Sequence, residues 1–160
     1  MSIYLKFDTK IEGAVQTDGH KGWINVDSFQ LGVGRSITST GKGSDRDTSN
    51  PSFSEATFSR GTDKASPELF AQAIHGKSLG AATIDFVQVA GADKPEQVYL
   101  QFELGDAIVS SYSISSGGDR PTESFTLNFV KIRKKFTAFS GAKVVADSEK
   151  KWDIVANKTY

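Results

Sequence analysis

The sequence predicts a mainly β protein, in which two packed antiparallel sheets form one β-barrel with a single short α-helix at about residues 66–75. Apolar and polar residues alternate with period two along most of the chain, which is typical of half-buried strands. One segment instead has helical spacing, and clusters of Gly, Pro, Ser and Asp separate the segments. A chain of 160 residues buries about 70% of its unfolded surface in one core. We therefore expect a single domain over 1–160, with an extended loop at about 39–51.

The first strand is predicted at the start of the chain. Ile3, Leu5 and Phe7 lie on one face of an extended segment, and Tyr4 and Lys6 lie on the other. This alternation predicts a strand with one buried face.

Three further segments have the composition of strands, namely 23–31, 53–60 and 82–89. In 82–89 the apolar parity changes from Ile84 and Phe86 to Val87 and Val89. The change predicts either a bulge or burial on both faces at this point.

The clearest strand of the chain follows a turn at 91–95. Its apolar face carries Val98, Leu100, Phe102 and Leu104. Because a five-residue loop joins it to 82–89, the two segments are predicted to form an antiparallel hairpin.

The remaining strands are predicted at 108–114 and 125–136. In the second of these, Phe125 and Phe129 share one parity while Val130 and Phe136 share the other. We expect one final long strand that bends near residue 130, as barrel strands do at corners.

The helix is predicted from its end signals as well as its spacing. Ser66 suits the N-cap, Pro67 the first helical position, and Glu68 the positive end of the helix dipole. Gly76 suits a left-handed C-terminal cap. The apolar stripe consists of Leu69, Phe70, Ala73 and Ile74.

Composition narrows the classes of function. The 19 basic and 19 acidic side chains cancel, so no overall field draws the chain to nucleic acid. The absence of cysteine excludes disulfides and thiolate chemistry. No apolar run reaches the length of a spanning helix, and the N-terminus lacks the features of a secretory signal. We expect neither nucleic-acid binding nor membrane insertion.

No motif predicts a catalytic residue, a bound cofactor or a metal site. His20 and His75 do not have the spacing of metal ligands, and no nucleophile elbow accompanies them. Asp45, Asp47 and Ser49 imitate the first half of a calcium loop. The glycine and the final glutamate of such a loop are missing, which favours a solvated loop.

Two other motifs have structural interpretations. The segment 32–37 lacks the third glycine of a dinucleotide-binding fingerprint, which favours a kink at the end of a strand. A basic cluster is formed by Lys131, Arg133, Lys134 and Lys135. In a chain without net charge, it indicates a solvated or subunit-contacting edge rather than a nucleic-acid site.

Several segments together resemble the haemolysin-coregulated protein (Hcp) family, the tube subunits of bacterial type VI secretion systems. They are the strand at 3–7, the stretch 20–34, the helix start at 65–70 and, most specifically, 109–129, with the resemblance ending near Trp152. The shared order of these segments along the chain is stronger than any one motif.

The resemblance implies a β-barrel subunit that forms hexameric rings, which stack into a tube propelled by a contractile sheath. It also implies effector cargo in the lumen, contact with type VI tip and sheath components, and export from the cytoplasm without a signal peptide. The loop at 39–51 would protrude towards the next ring. Because it contains Lys42, Asp45, Arg46 and Asp47, ring stacking would be partly ionic and sensitive to salt.

A cargo contact is expected on the strand within 24–31. Ser28 and Gln30 share a polar face opposite Phe29 and Leu31. That face either lines a wet lumen or is ordinary outer surface.

Two other classes of function stay open at this point. A monomeric sugar- or peptide-binding barrel would need an exposed aromatic cluster around Trp23 and Tyr99. A small hydrolase would use His20 or His75 with a nearby Ser or Asp.

Overall fold

The structure is a computed structural model that describes residues 1–39, 46–91 and 95–160. In chain order its elements are β1 (Ser2–Phe7), β2 (Ile24–Val26), β3 (Ser28–Gln30), β4 (Val33–Gly34), β5 (Ile37–Ser39), β6 (Arg46–Thr48), β7 (Ser52–Phe53), β8 (Ala56–Gly61), α1 (Ser66–His75), β9 (Ala82–Val89), β10 (Glu96–Gly105), β11 (Ile108–Ser115), β12 (Thr122–Asn128), β13 (Lys131–Ser140) and β14 (Lys143–Asp153).

Two antiparallel sheets account for most of these strands. The larger sheet has the order β14-β13-β10-β9-β1-β2, and the smaller has the order β11-β12-β8-β3. The expected mainly β class with packed antiparallel sheets is thus confirmed. Among the described strands, the hydrogen-bonded ladders do not close on themselves, so each sheet keeps two edges.

The core lies between the inner faces of the two sheets. Leu5, Ile84 and Phe125 are fully buried there. The Phe58 ring stacks on Phe125 with centroids 5.0 Å apart. The predicted strand β1 is confirmed, with Leu5 and Phe7 buried and Lys6 exposed, but Tyr4 on its other face is buried as well, so the expectation of a single buried face is wrong.

The chain passes between the sheets at two sharp corners. The predicted segment 23–31 divides at Asp27 into β2 of the larger sheet and β3 of the smaller. The predicted strand 125–136 divides at 129–130 into β12 and β13, which lie in different sheets. The expectation of one bent final strand is therefore wrong. The change of apolar parity near residue 130 marks the point where the chain leaves one sheet for the other. A further strand, β14, follows β13.

The predicted hairpin of β9 and β10 is confirmed by antiparallel pairing from Glu96↔Val89 to Leu104↔Ala82. Its turn falls on 92–94, outside the described residues. The register shifts between Val98 and Leu100, so the bulge lies in β10 rather than in β9. Val87 is buried in a second cluster on the outer face of the larger sheet, which explains the parity change in β9.

The helix has the predicted bounds but different caps. Its N-cap residue is Ala65, without a side-chain hydrogen bond, and Gly76 is extended rather than left-handed, with φ −67° and ψ 157°. Ser66 is not the cap, because its hydroxyl donates to Glu123 at 2.9 Å instead.

A buried ionic network joins α1 to the smaller sheet. The Glu123 carboxylate, which is fully buried, accepts hydrogen bonds from Arg60, Ser66 and Tyr112. The Arg60 guanidinium also contacts Asp63 at 2.5 Å and donates to the Asn25 carbonyl at 3.0 Å. Every charged group in the network therefore has a partner, as buried charges require.

Candidate functional site: a hydroxyl-lined sheet face

The outer face of the smaller sheet consists of two rows of uncharged polar side chains. Strand register aligns one row across all four strands, namely Ser28, Ser59, Ser124 and Ser113. The neighbouring row is Gln30, Thr57, Thr126 and Ser111. We call these eight side chains the hydroxyl face.

The hydroxyl face follows from alternation in the sequence. On the opposite surface of β3, β8 and β12 lie Phe29, Phe58 and Phe125, whose rings contact one another in the core at 5.0 to 5.2 Å. Because successive side chains of a strand point to opposite faces, burial of these aromatics turns the residues between them outward. Ser28 and Gln30 are exposed.

Hydrogen bonds across the strands organise the hydroxyl face. The hydroxyls of Ser28 and Ser59 lie 2.5 Å apart, and those of Ser111 and Thr126 lie 2.7 Å apart. Hydroxyl groups both donate and accept. The eight side chains therefore offer hydrogen bonds to water or to a polar partner, and the Glu55 carboxylate borders them through Ser110, whose hydroxyl lies 2.6 Å from that of Thr126.

Two strand edges flank the hydroxyl face. β3 and β11 are the outermost strands of the smaller sheet. An edge strand presents unpaired backbone N–H and C=O groups, which pair readily with a strand of another molecule.

The structure places the predicted cargo residues on this face and separates them from the predicted stacking residues. Ser28 and Gln30 lie together on β3. Arg46 is exposed on β6, whose backbone also includes Asp47. Lys42 and Asp45 lie outside the described residues.

Six members of the hydroxyl face were missed by the sequence reasoning, namely Thr57, Ser59, Ser111, Ser113, Ser124 and Thr126. A signal was present in the period-two recurrence of Ser or Thr within 57–59, 111–113 and 124–126. The sequence does not give the order of the strands in the sheet. That order is what brings the three distant segments into one surface.

Two short antiparallel ladders form a separate part of the chain, which we call the arm and which consists of β4, β5, β6 and β7. β4 pairs with β7 through Val33↔Phe53, and β5 pairs with β6 through Ile37↔Thr48. The described side chains of this arm are largely exposed, including Ile37 at 49%.

Neither histidine forms a hydrogen bond with a serine side chain in the described part of the chain. His20 is buried, and its Nε2 lies 2.9 Å from Asp85 Oδ2. Its other nitrogen, Nδ1, is buried without a hydrogen-bond partner among the described residues. His75 lies at the exposed end of α1. This geometry supplies no Ser-His-Asp arrangement.

The aromatic cluster of the ligand-binding alternative does not form as that alternative required. Trp23 packs edge-on against His20 at 4.7 Å and lies beneath the Lys6 ammonium. Tyr99 instead contacts Phe86 at 6.4 Å. The two rings belong to separate packing groups.

The described residues contain no group of three or more His, Cys, Asp or Glu side chains arranged to hold a metal ion. No helix among them is long and apolar enough to cross a bilayer.

Comparison with known proteins gives one consistent result. A family model described as "Type VI secretion system effector, Hcp" matches residues 4–136. The curated protein Hcp1 of Pseudomonas aeruginosa is 31% identical over 107 residues, which cover 64% of this chain and 65% of that protein. The match thus spans slightly less than two thirds of the relative's length.

Solved structures agree with the family match. A structure described as a type six secretion system protein has a TM-score of 0.88 at 26% identity, covering 99% of both chains. Hcp1 from Salmonella typhimurium has a TM-score of 0.79 at 26% identity, covering 99% of this chain and 98% of its own.

Proposed function

Since the chain belongs to the Hcp family of type VI secretion tube proteins, we propose that it is a structural subunit that forms hexameric rings, stacks them into a tube and carries effector cargo in the lumen. The observation that supports this function best is the hydroxyl face itself, whose eight side chains are uncharged and which is flanked by two edge strands. An enzyme needs no such pair of edges, whereas a ring of identical subunits needs complementary surfaces on both sides.

The hydroxyl face is proposed to line the lumen. Rows of Ser, Thr and Gln side chains keep a channel hydrated, and they offer hydrogen bonds without fixed charges that would trap a polar cargo. Within these rows, Ser28 and Gln30 lie on the outermost strand and are proposed as cargo contacts.

The arm is proposed to mediate stacking between rings. Arg46 is exposed on its second strand. Lys42, Asp45 and Asp47 belong to the same segment of the sequence. A contact that uses such charges weakens as salt screens them.

The proposed subunit works without catalysis or a cofactor, and its partners are its own copies, the cargo, and the type VI tip and sheath. It is made in the cytoplasm and exported by the type VI apparatus. It neither binds nucleic acid nor inserts into membranes. One domain over 1–160 carries these surfaces.

Solution mass and electron microscopy test the assembly. The purified chain is expected to run at about six times its 17.3 kDa mass and to give annular particles in negative stain. A monomer at all protein concentrations and salt conditions, with no annular particles, contradicts the proposal.

A substitution in the hydroxyl face tests the lumen assignment. Gln30→Trp is expected to reduce cargo co-purification while rings persist, because the indole fills space on that face and removes the amide. Gln16→Trp, at an exposed position of the N-terminal loop region, is the matched control. Equal cargo recovery from both variants contradicts the lumen assignment without affecting the ring.

A further inference from the structure

A cleft of about 530 Å³ lies between the end of β1, the loop after it and the turn before β2. Lys6, Lys10 and Lys21 line it and are exposed, and we call it the lysine cleft. Leu5 and Phe7 are buried in the core, so the side chain of Lys6 between them lies on the other side of β1. The lysine cleft therefore opens on the outer face of the larger sheet, away from the hydroxyl face.

The indole ring of Trp23 forms one wall of the lysine cleft. The ring packs edge-on against His20 with centroids 4.7 Å apart. The Lys6 ammonium lies 5.2 Å from the Trp23 ring centroid, at a distance typical of a cation–π contact. Trp23 is only half-buried, so the cleft offers an aromatic surface beside a positive charge. Aromatic rings of this kind are enriched where proteins bind one another.

Backbone hydrogen bonds fix the walls of the lysine cleft. The Gly13 N–H donates to the Gly22 carbonyl at 2.9 Å, and the Gly22 N–H donates to the Val15 carbonyl at 2.8 Å. The Val15 N–H in turn donates to the Trp23 carbonyl at 3.2 Å. A partner that binds here therefore meets a wall that is already ordered, which lowers the entropy cost of binding.

The charges that line the lysine cleft are predominantly positive and unpaired. Within the described ranges, none of its three lysines forms an ion pair. The two carboxylates that also line the cleft have other partners. Glu12 pairs with Lys64 at 3.3 Å, and Asp8 accepts from the Ala81 backbone N–H at 2.9 Å. An anionic partner would thus gain three ammonium groups without breaking an ion pair of this chain.

We infer that the lysine cleft binds an acidic segment of a partner protein. An apolar side chain of the segment packs on the Trp23 ring, and neighbouring carboxylates pair with the three ammonium groups. Because the cleft is concave, a side chain reaches its indole wall, whereas a flat layer of lipid headgroups does not. The direction of approach rests on the proposed function. If the hydroxyl face lines the lumen, the lysine cleft opens on the outside of the ring.

A labelled acidic peptide tests this inference. The probe is a fluorescein-labelled peptide of glutamates with one central phenylalanine, and fluorescence anisotropy measures its binding to the assembled wild-type protein. Lys6→Gln with Lys21→Gln is expected to weaken binding by about tenfold or more, because two charge-assisted contacts are lost. Binding to the wild type is expected to weaken as salt rises.

A matched variant controls for the loss of charge. Lys143→Gln with Lys158→Gln removes two exposed lysines that do not line the lysine cleft. This control is expected to bind the peptide as the wild type does, and circular dichroism checks that each variant is folded.

A second peptide tests the aromatic wall. With alanine in place of its phenylalanine, the peptide is expected to bind the wild type severalfold more weakly, because it no longer packs on the indole. The difference between the two peptides is expected to disappear in Trp23→Leu. A difference of the same size in that variant would remove Trp23 from the site.

Four results would overturn the inference while leaving the proposed function intact. They are no binding to the wild type at low salt, equal binding by the cleft variant and the lysine control, and equal binding of a peptide with glutamine in place of glutamate. The fourth is binding of phosphatidylglycerol vesicles that depends on Lys6 and Lys21 when the acidic peptide does not bind. A wild-type chain that stays monomeric yet binds the peptide in this way would instead contradict the proposed ring and support the ligand of the cleft.

Discussion

Glu123 is the buried residue that links α1 to β8 and β11. Its buried carboxylate accepts from Arg60 of β8, Ser66 of α1 and Tyr112 of β11. Burial alone works to raise the pKa of Asp63, the second partner of Arg60. The Arg60 guanidinium and the Ala65 backbone N–H outweigh it and hold that pKa below its usual value. The buried charges of the network thus compensate one another.

Glu123→Gln is expected to destabilise the fold by about 3 kcal/mol, since it leaves the buried Arg60 charge only partly compensated. Urea unfolding measures the loss. Glu103→Gln is the matched control, because Glu103 forms its ion pair with Arg133 while 38% exposed. The control is expected to lose less than about 1 kcal/mol. Equal losses in the two variants would refute a special role for the buried network.

Tyr112 makes the stability of the fold depend on pH in the alkaline range. Burial and the adjacent Glu123 raise the pKa of Tyr112 from 10.0 to about 12. Between these values the folded protein keeps a phenolic proton that the unfolded chain has lost. Stability from this group is therefore fully present below pH 10 and declines as pH rises through that window.

Tyr112→Phe is expected to flatten this alkaline decline. The variant is less stable than the wild type at neutral pH because Glu123 loses a donor. The difference in unfolding free energy between the two proteins should be constant up to about pH 10 and shrink above it. Chemical unfolding at a series of pH values from 7 to 12 provides the measurement. A difference that does not change across the series would show that the phenol titrates normally.

At the scale of elements, most strands could be predicted from the sequence, but the sheet to which each strand belongs could not. The strand at 3–7 and the helix at 66–75 needed only local spacing, and both are confirmed. The corners at Asp27 and 129–130 depend on which sheet covers each face, and that is decided by distant segments. The predicted N-cap of α1 was wrong for a related reason. The Ser66 hydroxyl donates to Glu123, 57 positions away in the sequence, instead of capping its own helix.

The loop before β2 is held by a close backbone approach. A Cβ added to Gly13 would lie 2.1 Å from the Trp23 carbonyl oxygen, and the Gly13 N–H donates to the Gly22 carbonyl at 2.9 Å. Gly13→Ala is therefore expected to lower stability by about 1–3 kcal/mol. The measurement is a thermal melt beside Gly34→Ala, where an added Cβ meets nothing within 4 Å. Matching melting temperatures for the two variants would contradict the close approach.

For the whole molecule, the candidate site was predicted only in part. Ser28 and Gln30 were predicted because the alternation within a single segment assigns each residue to one face of the strand or the other. The other six positions of the hydroxyl face could not be predicted, because they form one surface only once the order of the four strands is known. The apolar groove beside β3, lined in part by Phe29, Phe102 and Trp152, was not predicted at all, because it joins β3 to strands of the other sheet, one of which, β14, was not expected.

The arm provides a prediction about stacked rings. Arg46→Glu is expected to lower the proportion of stacked rings at low salt by severalfold and to leave single rings intact, because it reverses one charge on the exposed strand β6. Sedimentation at 20–500 mM salt measures stacking, with Lys10→Glu as the control. Stacking that is unchanged in the variant at low salt would assign ring-to-ring contact to another surface.

The two corners also have a mechanical consequence. Because β2 continues into β3 and β12 continues into β13, covalent chain joins the two sheets at separated points. Sliding one sheet over the other would have to strain the backbone at both corners as well as separate the packed aromatic rings. Force applied to one sheet therefore reaches the other through the backbone as well as through side-chain packing.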